Sequence, residues 1–360
     1  MSGYSSIFIN SNETDLNNLS NKGLSGLTNL GNTCYMNSAI HCLSNTHELT
    51  KYFINDTYLE DFDNDRIEHH TVNEWVRLLK GIWNDNCVIA PHSFNKIVHI
   101  MSLRMGTSIY GSNSEQQDLQ EFLQFIIDIM HTALAREVLI NISGTVKTPV
   151  DKMAVEAMKC WKNYFKDNFS FFVELFYGQY ATKTKCPNCN YNSYSYDPFC
   201  FLSLPLNNQK LDNNTGIDLY NIIQLYCNNE YLDDDNKWRC EKCKTESKAE
   251  RTITFWSTPK KLIIHLKRFK NNGNKNNVYI NYPLFNLNLS NYCVGYDKYE
   301  SEYNLYAVAC HIGNEHGGHY ISYCKNINHK WYKYDDKDVS EVTENDVITR
   351  DAYCLFYSKI

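Results

Sequence analysis

The chain has 360 residues, 43% of them hydrophobic, with 41 acidic against 35 basic side chains and a net charge of −6. A chain this long buries a sizeable core without covalent staples, so fibrous, collagenous and wholly disordered readings are excluded, and an acidic balance with no Lys/Arg block excludes a strongly basic nucleic-acid binder. Apolar runs such as Leu262-Ile263-Ile264 fall far short of the ~18 residues a membrane span needs.

Residues 1–22 are rich in Asn and Ser and predict a loose tail. This polar start has no basic stretch followed by an apolar one, so it does not read as a secretory signal. The 14 cysteines are then expected as reduced thiols of cytoplasm or nucleus rather than as disulfides. Apolar residues at helical spacing predict helices over 33–47 (Met36, Ile40, Leu43) and over 72–82 (Val72, Trp75, Val76, Leu79, Ile82). Another follows Pro91 (Phe94, Ile97, Val98, Met101), and the clearest runs over 115–134 through Leu119, Phe122, Leu123, Ile126, Ile127, Met130 and Leu134. Ser114 with Gln117 reads as its capping box. A fifth covers 151–166 with Val155, Met158, Trp161 and Phe165.

Beyond residue 170 strand-like runs dominate, at 171–182, 191–201, 251–256, 261–268, 278–285, 303–312, 319–324, 330–334 and 352–357. One short helix interrupts them near 219–226. Helices first and strands later predict an α+β protein, with a seam near residue 170.

Cys186-Pro-Asn-Cys189 and Cys240-Glu-Lys-Cys243 form two C-x-x-C knuckles. Four thiolates so spaced suit a closed tetrahedral Zn²⁺ site in a zinc ribbon, and with no open position the metal would be structural. The alternative is four incidental surface cysteines. Cys34 follows a Gly-containing turn at the start of a helix, where free N–H groups and the helix dipole favour thiolate over thiol. A buried structural cysteine is the competing reading. A nucleophile needs a base. His319 heads a strand after Gly317 and Gly318, and a hairpin turn centred on Ile327 would place Tyr323 opposite Trp331 and His319 opposite Asp335. Asp335 would then orient the imidazole as a third triad member does, while Asp336 would face away unless a bulge intervenes. His311 and His316 are rival bases with no carboxylate so placed. Asn29 or the helix amides at Cys34 could donate to an oxyanion. Asp118 and Glu121, three apart on one helix flank, read from the residues alone as a solvated acidic edge.

These motifs carry a resemblance. Residues 26–38, from Gly26-Leu27-Thr28-Asn29 to Thr33-Cys34-Tyr35-Met36-Asn37-Ser38, resemble the cysteine box of the ubiquitin-specific proteases. His311-Ile312-Gly313, the run from His316-Gly317-Gly318-His319 to Tyr323, and the run from Trp331 to Asp335-Asp336 resemble that family's histidine box. Gln116-Gln117-Asp118-Leu119-Gln120-Glu121-Phe122-Leu123 and Leu262-Ile263-Ile264-His265-Leu266-Lys267-Arg268-Phe269 match two further segments, all in family order across about 23–358. Ile40-His41 and Leu119 depart from the usual Leu-Gln and small residue.

The resemblance implies a papain-like hand within 23–360: helical thumb about 23–170, zinc-ribbon fingers about 171–258, antiparallel β palm about 259–360. It implies a Cys34, His319 and Asp335 triad with Asn29 as oxyanion donor. It also moves Asp118 and Glu121 to contacts with arginines of the ubiquitin tail, and it makes Gly317 and Gly318 walls of a channel for a Gly-Gly tail. The expected enzyme is a cysteine-type deubiquitinase that holds one structural Zn²⁺, needs no catalytic cofactor, and acts as a monomer on ubiquitin conjugates. Its rivals are a silent ubiquitin-binding scaffold, a protease for another ubiquitin-like modifier, and a zinc-ribbon nucleic-acid module. Of the other cysteines, Cys42, Cys310, Cys324 and Cys354 read as buried, and Cys87, Cys160, Cys200, Cys227 and Cys293 have no derivable role.

Overall fold

A computed structural model describes residues 19–63, 65–108, 110–111, 115–206, 216–269, 274–314 and 317–360. Most of the expected tail (1–18), Ser114 of the capping box and the rival base His316 lie outside the described residues.

The first half is helical. Helices α1 (Cys34–Ser44), α2 (His47–Ile54), α3 (His69–Asn84), α4 (His92–Met105) and α5 (Leu119–Ala133) pack around one aromatic-rich core. The single helix expected over 33–47 is two. Asn45 Nδ2 donates to His41 O at 2.9 Å and Thr46 Oγ1 to Cys42 O at 3.1 Å. These side chains take carbonyls of the last turn of α1 and end it. In α5 the predicted stripe is buried, and its cap is Asp118, whose Oδ1 accepts from the amides of Gln120 (2.7 Å) and Glu121 (3.1 Å). Helix α6 (Pro149–Phe165) begins with a capping box of Thr148 and Asp151.

Residues 171–176, expected as strand, form helix α7 (Phe171–Phe176). Ser170 caps it by accepting from Phe172 N–H, and Phe172 and Phe176, four apart, both enter the helical core. Strands then take over. In one sheet β1 (Gly178–Lys185) lies between β2 (Asn192–Ser195) and β4 (Glu250–Ser257), with the knuckle cysteines just beyond its outer end. The second sheet has the order β9 (Asp338–Val342), β8 (Trp331–Asp335), β7 (Gly317–Lys325), β6 (Glu302–Asn314), β10 (Ala352–Lys359), β5 (Lys261–Lys267) and β3 (Phe201–Pro205). All its neighbours are antiparallel except β5 and β3. Of the run expected over 278–285 only Ile280–Asn281 is strand, and β9 was not foreseen. Helices α8 (Leu219–Cys227) and α9 (Glu344–Val347) lie among the strands of this half.

Alternation along β6 divides the core. Ala307 and Ala309 face the helices, and Val308 and Cys310 face a second cluster with Leu262, Ile264 and Leu355. The two alanines let α1 lie close on the sheet, and all eleven residues of α1 are buried.

His41 pays for that closeness. Its ring stacks on Tyr334 with centroids 4.2 Å apart, neither ring nitrogen has a partner among the described residues, and burial pulls its pKa down to about 3. Burial likewise draws His47, His131, His265 and His311 to about 4. A histidine whose folded pKa lies below its unfolded value takes its proton only on unfolding, so stability falls as pH drops below about 6.5. For His41 alone that loss is about 2 kcal/mol at pH 5. Urea unfolding of wild type and His41→Gln at pH 7.5 and 5 is expected to show the smaller acid loss in the variant; equal losses would contradict it.

Candidate active site

Cys34 is the first residue of α1. The loop before it wraps around one carboxamide: Asn29 Oδ1 accepts from Gly31 N (3.0 Å), Thr33 N (3.1 Å) and Thr33 Oγ1 (3.2 Å). Gly31 (φ 102°) and Asn32 (φ 51°) take left-handed conformations to close this turn. The result aims the Asn29 amide group away from the loop, where Nδ2 donates to Asp336 Oδ2 at 3.0 Å. Asn37, on the first turn of α1, donates to the other oxygen of Asp336 at 2.8 Å, and Leu27 N donates to the Asp336 carbonyl at 2.8 Å.

The thiol itself is only 3% exposed. Its pKa is raised, chiefly by burial and further by the negative charge of Asp336, while a backbone hydrogen bond from Tyr320 pulls the other way. The dipole and free amides at the start of α1 therefore do not leave a standing thiolate, contrary to the expectation from the helix terminus alone.

His319 immediately precedes Tyr320 on β7. Its Nε2 lies 2.7 Å from Asp335 Oδ1, and Lys333 Nζ lies 2.8 Å from the other oxygen. Burial works against ionisation of Asp335, but the hydrogen bonds and charges of Lys333 and His319 outweigh it and hold the carboxyl below its ordinary range. The hairpin register differs from the expected one. Tyr323 opposes Lys333 and Lys325 opposes Trp331, a shift of two residues. The cause is a loop of Ile327, Asn328 and His329 with His329 left-handed (φ 63°), a type I turn with a G1 bulge. A two-residue slip preserves the face, so His319 and Asp335 still meet. Asp336 does not face away: it is left-handed (φ 51°) in the turn between β8 and β9, and its carboxylate lies with those of Asp335 and the His319 ring within one 4.8 Å cluster.

Of the rival bases, His311 is 3% exposed and lies beneath Gly318, where an added Cβ would come 2.2 Å from its Nε2. Glycine at 318 is thus demanded by the protein itself. At Gly317 an added Cβ would meet nothing within 4 Å among the described residues. Lys275, which sequence reasoning did not single out, donates to His311 O (2.5 Å) and Gly313 O (3.2 Å) and ties down the turn before β7. Gln116, which carries no sequence signal beyond its motif, pairs with Gly318 through both polar atoms of its carboxamide.

Asp118 is more engaged than a solvated edge: one oxygen caps α5 and the other accepts from the Tyr353 hydroxyl. Glu121 is exposed, and its pKa is raised by partial burial and by the charge of Asp118. It lines a cleft of about 290 Å³ with Gln120, Gln124, Asp128, Tyr110 and Met105.

The knuckle cysteines converge far along the chain from Cys34. Cys186 and Cys243 sulfurs are 3.7 Å apart, Cys189 and Cys240 sulfurs 3.6 Å, and all four lie within 4.8 Å of one another. A tetrahedron with ~2.3 Å metal–sulfur bonds has edges of about 3.8 Å, so the set fits a four-thiolate metal site. The two knuckles share one geometry. Asn190 N donates to Cys186 O and Lys244 N to Cys240 O, and both Asn190 (φ 56°) and Lys244 (φ 61°) are left-handed. All 14 cysteines are free of disulfides, and Cys42, Cys310, Cys324 and Cys354 are buried as expected.

The family model for ubiquitin carboxyl-terminal hydrolase matches residues 25–357. Ubiquitin carboxyl-terminal hydrolase 2 of Bos taurus is 34% identical over 349 residues, which cover 95% of this chain and 56% of that protein. Ubiquitin carboxyl-terminal hydrolase 5 of Saccharomyces cerevisiae is 32% identical over 364 residues, 93% of this chain and 44% of that one. The chain thus spans about half the length of the curated relatives it matches. Among solved structures, the Ubp8/Sgf11/Sus1/Sgf73 SAGA DUB module bound to monoubiquitin superimposes with a TM-score of 0.71 at 23% identity, over 94% of this chain and 70% of that chain. The same module bound to ubiquitin aldehyde gives 0.69 at 23%, over 95% and 70%. These structural likenesses speak to the fold, and the sequence matches to the lineage: the chain belongs to the ubiquitin carboxyl-terminal hydrolase family, as a ubiquitin-specific protease catalytic domain.

Proposed function

We propose that the chain is a deubiquitinase that hydrolyses the peptide or isopeptide bond after the C-terminal glycine of ubiquitin through a thioester. The observation that carries this reading is the seating of the Cys34 thiol beside Tyr320, with the preceding residue, His319, hydrogen-bonded to Asp335. Because burial raises the thiol pKa, His319 must take the Cys34 proton as the sulfur attacks. The imidazolium then gives that proton to the departing amine, and water later cleaves the thioester with His319 again as base. Asp335 fixes the ring and balances its charge. Asn29 Nδ2 carries two protons, and with one on Asp336 the other is free for the oxyanion, beside the first amides of α1.

Glu121, exposed and acidic, and Asp118, with both oxygens already engaged, contribute negative charge for the arginines of the ubiquitin tail. Gly317 and Gly318 line the path of its terminal glycines. The four-cysteine set would hold Zn²⁺, which clips the two knuckles together and, with every position taken by sulfur, stays out of the reaction. A nucleophilic thiol and a four-thiolate site both require reduced sulfur, which favours cytoplasm or nucleus.

Ubiquitin aminomethylcoumarin tests the reading. Wild type is expected to release coumarin, Cys34→Ala to release none, and His319→Ala to lose about 10²- to 10⁴-fold at pH 7; turnover retained by Cys34→Ala would refute it. Metal analysis is expected to find one zinc per chain, lost in Cys186→Ser together with thermal stability, while Cys34 keeps its reactivity toward iodoacetamide. Zinc-free wild type of full stability would overturn the metal assignment.

A further inference from the structure

The strand that carries His319 has an open edge. Along one side β7 pairs with β6 from Gly317 to Cys324, whereas along the other it pairs with β8 only from Ser322 onward. In an antiparallel strand, residues two apart direct their N–H and C=O groups to the same edge. Gly318 and Tyr320 share the edge that faces the helical half: the Tyr320 backbone reaches the Cys34 thiol, and both backbone groups of Gly318 meet Gln116. Gln116 Nε2 donates to Gly318 O at 2.6 Å, and Gly318 N donates to Gln116 Oε1 at 3.0 Å.

A carboxamide and a peptide group offer the same C=O and N–H. Gln116 uses both, as an added strand would. Gly318 lies two residues, about 6.6 Å, from the point where Tyr320 meets the thiol. That is the reach of an extended substrate tail whose scissile carbonyl sits on Cys34. The floor at this point is bare backbone, because His311 excludes any side chain at 318. Gln116 comes from the segment before α5, so the pairing also ties that segment to β7.

We propose that Gln116 is a latch: in the free enzyme its carboxamide fills the backbone-pairing position on Gly318 that the ubiquitin tail takes during turnover, and the tail must displace it. This rests on the hydrolase reading above and adds to it a residue that sets the threshold for tail entry. Replacement of Gln116 by Met keeps length and bulk and removes both hydrogen-bonding groups. Both bonds are neutral and solvent-exposed, so the gain from removing them is modest.

Ubiquitin affinity measured by calorimetry on Cys34→Ala protein, with and without Gln116→Met, tests the latch without turnover. Removal of the latch is expected to tighten binding about three- to tenfold. The gain should vanish for ubiquitin that lacks its two terminal glycines, which cannot reach Gly318. Equal or weaker binding by the Gln116→Met protein, or the same gain with truncated ubiquitin, would overturn the latch while leaving the hydrolase reading standing. No binding of ubiquitin to either protein would overturn the ubiquitin reading and the latch with it.

Discussion

Asp336 joins the helical half of the molecule to the sheet where the loop before α1 meets the β8–β9 turn. Its left-handed backbone turns the carboxylate back from the β8–β9 turn onto Asn29 and Asn37, while its carbonyl accepts from Leu27 N–H. One residue of the sheet thus fixes the loop before Cys34, the first turn of α1 and the chain that leads to them. The approach is so close that a Cβ at Gly26 would come 2.1 Å from the Lys337 carbonyl, so the chain carries glycine there. This tie adds to the packing of α1 on the sheet in holding the helix that carries the thiol against the strand that carries the imidazole.

The same closeness sets the chemistry. A helix lying flat on Ala307 and Ala309 buries Cys34 along with His41. Burial and the Asp336 charge both oppose ionisation of the thiol, which is why the proposed mechanism gives His319 the task of taking its proton. Asp336 raises the cost of the thiolate and at the same time holds the amide group of Asn29 by a hydrogen bond. The four-cysteine set shares no residue with this site: its sulfurs cluster within 4.8 Å where two matched knuckles meet at the end of the first sheet.

Much of this was legible in the residues. The paired C-x-x-C spacing forces two tight turns and therefore a four-sulfur cluster, and the period-2 rule puts His319 and Asp335 on one face whether the hairpin turns at Ile327 or, as found, one residue later. What escaped were conformations that tertiary context decides. The apolar run at 171–176 reads equally as strand or helix, and only Ser170 as cap and the burial of Phe172 and Phe176 settle it. Asp336 was expected to face away because a strand was extrapolated through a turn that one left-handed residue makes. The Cys34 pKa was expected low because the helix terminus is visible in sequence and the overlying burial is not. Gln116 gave no signal of its own, since a carboxamide pairing with backbone 202 residues away has no sequence pattern.

The central claim is that one thiol among fourteen, buried and protonated at rest, is the nucleophile toward the carboxyl end of ubiquitin. The most direct measurement is capture by ubiquitin whose C-terminus carries an electrophile, read by intact mass and peptide mapping. A single adduct of one ubiquitin, mapped to Cys34 and absent from Cys34→Ala protein, is the result expected. No adduct with wild type, or an adduct that survives the substitution, would contradict it.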